Sequence, residues 1–78
     1  MDLKELVTEL AKALVNKPEE VSVDEIKGAS VTVYSLKVAK EDIGIVIGRG
    51  GRTATAIRHL LFSASAKLRR NVVLDIEE

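Results

Sequence analysis

Val46-Ile47-Gly48-Arg49-Gly50-Gly51-Arg52 decides the reading of this chain. It joins two predicted helices, and the positive charge of the protein gathers around it. Residues 1–47 hold six lysines against nine acids, a net of −3. Gly48 to Arg70 hold five arginines, one lysine and no acid, a net of +6. Residues 71–78 add three acids, so the formal charge sums to zero and hides the segregation. Every arginine lies in the middle block. A guanidinium fork suits phosphate better than the point charge of lysine does. A glycine-rich helix junction wrapped in arginine therefore points to a clamp for a phosphate backbone.

The glycines have distinct jobs in that reading. Gly44 and Gly48 are four apart, so they lie one above the other on the short helix before the junction. Neither carries a side chain, and an external backbone can approach that face closely. Gly48, Gly50 and Gly51 allow a tight turn. The first N–H groups of the next helix then point outward, where they can bind an anion. Two glycines precede that helix in place of a Ser or Asp cap. Arg52 in its first turn is disfavoured by the helix dipole by a few tenths to about 1 kcal/mol. A bound phosphate reverses the sign of that effect, and such local violations mark functional sites. A P-loop needs Lys then Ser or Thr after its last glycine, and a dinucleotide fingerprint opens a helix directly after a strand; neither fits here.

Working outward, Asp2-Leu3-Lys4-Glu5 reads as a helix start with a capping acid. Leu3, Leu6, Val7, Leu10 and Leu14 follow as its apolar stripe, and Asn16 and Pro18 end it. Val21 to Lys27 reads as a strand. Ile26 is out of phase with Val21 and Val23, which predicts a bulge near Glu25. Gly28-Ala29-Ser30 turns the chain into a second strand, Val31 to Val38, with Tyr34, Leu36 and Val38 in phase. So short a connection predicts a hairpin. A short helix spans about Lys40 to Ile47, with Ile43, Val46 and Ile47 buried. Residues 52–69 form a long helix with Ile57, Leu60, Leu61, Ala64 and Leu68 inward and Asn71 as its cap. Val72, Leu74 and Ile76 alternate with Val73, Asp75 and Glu77 as a third strand. The order α-β-β-α-α-β predicts an α+β fold with three strands and helices on one face.

At this point the sequence resembles a known family. Val46-Ile47-Gly48-Arg49-Gly50-Gly51 is similar to the V-I-G-x-x-G motif of KH RNA-binding domains, and the N-terminal αβ extension resembles their type II arrangement with its mixed sheet. Glu41-Asp42-Ile43-Gly44 through Thr53, with Ala56-Ile57-Arg58, resembles the small bacterial stand-alone KH proteins of the KhpA family. The resemblance covers nearly the whole chain, read as one KH domain over residues 1–78. It implies that Gly48-Arg49-Gly50-Gly51 contacts the sugar-phosphate backbone of about four nucleotides of single-stranded RNA. It also implies dimers, either homodimers or heterodimers with KhpB, a larger KH-domain protein. Ile45 departs from the family, whose members often carry a basic residue there.

Composition agrees. Tyr34 and Phe62 are the only aromatics, so the stacking platforms of an RRM or OB-type sheet are missing. KH domains hold bases in an aliphatic groove, and Gly44, Ile45, Ile47 and Ala54 are expected to line it with edge groups of a neighbouring strand. Arg52, Thr53 and Arg58 complete the expected RNA-binding set. Without cysteine there is no disulfide, thiol nucleophile or cysteine-ligated zinc. His59 has no metal-ligand neighbours in sequence, and no serine has an evident base, so no enzyme activity, metal or cofactor is expected. No apolar stretch approaches the roughly 20 residues that span a bilayer, and no signal peptide is evident. A cytoplasmic location is expected.

Seventy-eight residues give a marginal core, which a partner subunit would help. Phe62 falls off the inward stripe of the long helix. A dimer contact using Leu60, Phe62 and Ala66 is therefore expected. Two readings follow from the residues: an RNA-binding module, serving as a post-transcriptional regulator or RNA chaperone, and an interaction protein that works mainly through a KH-family partner.

Overall fold

The computed structural model describes residues 2–78. Its elements follow the order α1 (Leu3–Leu14), β1 (Ser22–Lys27), β2 (Thr32–Lys37), α2 (Ile43–Ile47), α3 (Arg52–Lys67) and β3 (Val72–Ile76). Short 3-10 turns occupy Pro18–Glu20, Lys40–Asp42 and Arg49–Gly51. Strand order is β1-β2-β3, with β1 antiparallel and β3 parallel to β2. The α+β type II order expected from the sequence is the order observed.

Asp2 caps α1: its Oδ1 accepts the Glu5 N–H at 2.8 Å. A cap of this kind contributes about 1 kcal/mol. The helix buries Leu3, Val7 and Ala11, and Val15 continues that line where the chain turns extended. Leu14, expected on the stripe, is exposed instead. Steps of four from Leu3 run through Ala11 to Val15, so a small alanine takes the place against the sheet. Val23, Tyr34, Leu36 and Leu74 meet α1 and α3 from the sheet, and Val46 of α2 joins the same core.

No bulge interrupts β1. Its register with β2 runs unbroken from Ser22 opposite Lys37 to Lys27 opposite Thr32. Ile26 simply points to the open face, where the register aligns it with Val33 and Val73 in one apolar row across the sheet. The three side chains shelter one another, which is less costly than a broken ladder.

The long helix also ends earlier than its charge pattern predicts, at Lys67. Arg69 adopts φ 56. The Arg69 N–H donates to Ala66 O at 3.1 Å and the Arg70 N–H to Ser65 O at 2.9 Å. This is a Schellman termination, with arginine in the left-handed place glycine favours. Asn71 is not the cap. Its carbonyl accepts the Thr32 N–H at 2.8 Å and so starts the β2–β3 pairing. The inward face of α3 is Ala54, Ile57, Leu61 and Ser65, with Ala64 half-buried, while Leu60 and Leu68 are exposed. Ser65 tolerates burial because its hydroxyl donates to Phe62 O at 2.9 Å.

Candidate nucleic-acid interface

The junction between α2 and α3 is built on positive φ. Gly48 has φ 78 and ψ 168, Gly50 φ 64 and ψ 20, Gly51 φ 77 and ψ 11. The Gly48 N–H closes α2 on Gly44 O at 2.9 Å, and the Gly51 N–H donates to Gly48 O at 3.1 Å. A Cβ on Gly48 would stand 2.3 Å from Thr53 Oγ1 and 2.8 Å from Thr53 N. Thr53 thus packs beneath the loop. A Cβ on Gly44 meets nothing within 4 Å, so that face of α2 is open. Gly51 caps α3 without a side-chain hydrogen bond, and the first turn of α3 holds no acid. Arg49 and Arg52 are exposed beside it.

The start of α2 is fixed from the other end of the fold. Asp42 is 1 % exposed. Its Oδ2 accepts the Lys17 N–H at 3.0 Å, tying the α1–β1 connection to the first residue before α2. The Lys17 ammonium also pairs with Glu41. Their hydrogen bond holds the Glu41 carboxyl below its ordinary 4.5 and raises Lys17 above 10.5.

A groove of about 300 Å³ opens beside the junction. Ile47, Gly51, Ala54, Thr55 and Arg58 line one wall; Asp75, Ile76 and Glu78 line the other. The second wall is the free edge of the sheet, because β3 pairs on one side only. Asn71 O bonds Thr32, and Glu77 N–H donates to Leu36 O at 2.9 Å, so odd-numbered residues face β2. Backbone groups alternate sides along a strand, so Val72, Leu74 and Ile76 turn their N–H and C=O to the open edge. Arg58 agrees: its Nε–H donates to Leu74 O at 3.3 Å. The groove therefore sets a basic, glycine-rich loop against a strand edge that offers both donor and acceptor. A single strand fits that arrangement with phosphates on the loop and unpaired base edges on β3.

Of the expected residues, Ile47, Gly51, Ala54 and Arg58 meet in this groove. Gly48, Arg49, Gly50 and Arg52 form the loop at its rim. Gly44 lies one helical turn back, outside the lining. Ile45 does too: two residues from Ile47, it points about 200° away around α2. Sequence reasoning did not name Thr55, Asp75, Ile76 or Glu78. Thr55 was findable, since it sits four after Gly51 and three before Arg58 on α3. The strand residues needed the pairing order. Leu60 and Phe62, both assigned to the dimer contact, sit on opposite flanks of α3 for the same 200° reason. They are 55 % and 69 % exposed. Among the described residues, no three His, Cys, Asp or Glu side chains gather to hold a metal, and no helix is long and apolar enough to cross a membrane.

Comparison with known proteins bears on this geometry. The family profile described as KhpA/KhpB, KH domain matches residues 4–76. The chain is 47% identical over 74 residues to the RNA-binding protein KhpA of Clostridium perfringens strain 13, covering 95% of this chain and 99% of that one. It is 49% identical over 72 residues to RNA-binding protein KhpA of Caldanaerobacter subterraneus, covering 92% and 96%. Among solved structures, Era of Aquifex aeolicus bound to GDP and AlF4− superposes with TM-score 0.66 at 22% identity, over 95% of this chain and 29% of that one. Era in complex with MgGDPNP and nucleotides 1506–1542 of 16S ribosomal RNA superposes at TM-score 0.61 and 21% identity, over 95% and 28%. These two likenesses carry the fold. With a glycine-and-arginine junction on the α-β-β-α-α-β frame, and near-full-length identity of this size, the chain belongs to the KhpA/KhpB KH-domain family.

Proposed function

We propose that this protein binds single-stranded RNA, holding its backbone on the Gly48–Gly51 loop and its bases in the groove against β3. The observation that carries this is the groove itself, with Arg58 in one wall, Arg49 and Arg52 exposed on the loop at its rim, and an unpaired strand edge as the other wall. The names of its relatives, RNA-binding protein KhpA, support the reading. The family is one of binding domains, not enzymes. Its role is that of a cytoplasmic post-transcriptional regulator or RNA chaperone. Binding is micromolar and falls with salt, because a few phosphates release counterions. Arg49→Asp with Gly50→Asp tests it by fluorescence anisotropy. Aspartate tolerates the left-handed region better than most residues, and a Cβ on Gly50 meets nothing within 4 Å, so the fold survives. Binding should disappear. A double variant that binds RNA as tightly as the parent at equal salt refutes the clamp.

A second reading, assembly into dimers, rests on the exposed Leu60 flank of α3. Ala56, Ser63 and Ala64 surround Leu60 at helical spacing, and side chains this small let another helix approach closely. The partner is a second copy or the larger KH protein KhpB, and the RNA groove stays open on the opposite flank.

A further inference from the structure

Phe62 is the most exposed large apolar side chain among the described residues, at 69 %. It belongs to a second cleft of about 410 Å³ that also runs between α3 and β3. Arg58, His59, Phe62, Val72, Val73 and Leu74 line this cleft, and Val73 is 48 % exposed. Arg58 also lines the groove beside the glycine loop. Its hydrogen bond to Leu74 O fixes it as the partition between the two. The groove takes the C-terminal half of β3 and the cleft takes the N-terminal half. Both open on the same unpaired edge, where half-buried Val72 presents N–H and C=O as Ile76 does next door, while the Leu74 carbonyl between them is held by Arg58.

We propose that the cleft is a second base-binding subsite, in which the RNA strand that fills the groove passes Arg58 and stacks its next unpaired base on Phe62. This inference rests on the RNA-binding reading above. Three observations favour a nucleobase over an apolar segment of protein. The cleft is continuous with the groove through Arg58. Its only ionisable residues are Arg58 and His59, with no acid, which suits an anionic strand; an apolar protein segment would bury the guanidinium without a counter-charge. Its parts are an aromatic face, a guanidinium plane and a strand edge, the set that holds unpaired bases in single-strand binders. The dimer contact proposed above uses the Leu60 flank, about 200° around α3 from Phe62, and so leaves this cleft open. The KH groove accounts for about four nucleotides, so the full footprint is at least five.

The test uses the intact chain and single-stranded RNAs of randomised sequence, four, six and eight nucleotides long, titrated by NMR and anisotropy. The parent should gain affinity between four and six nucleotides. Phe62→Ala and Phe62→Leu should lose that gain by roughly tenfold, the scale of one base–aromatic stack. Both should bind four nucleotides like the parent. Phe62→Trp should keep the gain, and base protons should move upfield only with an aromatic at this position. Sedimentation of the parent and Phe62→Ala should give the same oligomeric state. The proposal is overturned if the gain from four to six nucleotides survives in Phe62→Ala. It is equally overturned if Phe62→Ala turns dimers into monomers, since the cleft would then belong to a subunit contact. A parent that binds no RNA of any length would instead defeat the broader reading.

Discussion

Gly48→Ala and Gly50→Ala look alike in sequence, yet they should differ severalfold in cost. Both positions have positive φ. At Gly50 the backbone is left-handed helical and a Cβ meets nothing within 4 Å. Only the conformational penalty applies there, about 1–2 kcal/mol. At Gly48, φ 78 with ψ 168 lies in a region almost reserved for glycine, which alone costs about 1–3 kcal/mol. The new Cβ would also stand 2.3 Å from Thr53 Oγ1, 2.7 Å from Thr53 Cβ and 2.8 Å from Thr53 N. Overpacking adds roughly 1–3 kcal/mol, for a total of about 2–6 kcal/mol. Total stability at this chain length is on the order of 4–12 kcal/mol, so Gly48→Ala takes a large share of it. Urea unfolding of both variants with parallel thermal melts reads the difference. One kcal/mol moves the midpoint by roughly 4–8 °C in a domain of this size. Thr53→Ala added to Gly48→Ala should restore little, because it removes the hydroxyl but leaves the backbone nitrogen in place. Equal destabilisation by the two glycine variants, or full recovery on adding Thr53→Ala, would refute this account of the loop.

Three further outcomes follow from the geometry. Gly44→Ala should stabilise the fold by about 0.5–1 kcal/mol, since alanine is the better helix former and the space is open, while weakening RNA binding by crowding the face beside Gly48; a melting temperature that falls, or RNA affinity that holds, counts against it. Leu60→Asp should convert dimers to monomers in sedimentation equilibrium at unchanged melting of the single subunit, and a variant that stays dimeric places the contact elsewhere. Burial, helped by the neighbouring Glu25 carboxylate, raises Tyr34 above its ordinary 10.0. The folded state therefore holds the phenol proton longer than the unfolded chain does, so its stabilisation is complete below about pH 10 and is lost as pH climbs from there through the raised value. Denaturant titrations at successive alkaline pH should show Tyr34→Phe losing less stability than the parent over that window, and equal losses would remove Tyr34 from the explanation.

Local signals in the sequence carried most of the fold. The capping acid at Asp2, the in-phase Tyr34 and Leu36, and the glycine junction are all written in residues within a few places of one another. What sequence reading missed depends on distant partners. Ile26 looked like evidence for a bulge because its companions Val33 and Val73 come from other strands. Leu60 and Leu68 looked buried because a helical period does not say where the buried face stops, and α3 turns Ala54 and Ser65 inward instead. Arg69 gave no warning of a left-handed residue, since arginine rarely takes that place. At the site, the loop and one wall of the groove were legible from glycine and arginine spacing. The opposite wall was expected only as edge groups of an unnamed strand, because its residues required knowing that β3 joins the sheet parallel to β2 and on the outside.

That outside position gives β3 a rhythm that amide hydrogen exchange would read directly. The amides of Val73, Asp75 and Glu77 point into the ladder with β2, whereas those of Val72, Leu74 and Ile76 point to the unpaired edge, where Val72 and Ile76 are partly exposed and Leu74 is buried beneath Arg58. Val72 and Ile76 should therefore exchange far faster than Val73, Asp75 and Glu77, although all share the same backbone conformation. A strand of RNA laid along this edge would slow the fast set and leave the slow set almost untouched. Occupancy of the groove could thus be followed one amide at a time, with Ile76 reporting the bases beside the glycine loop and Val72 those that reach past Arg58.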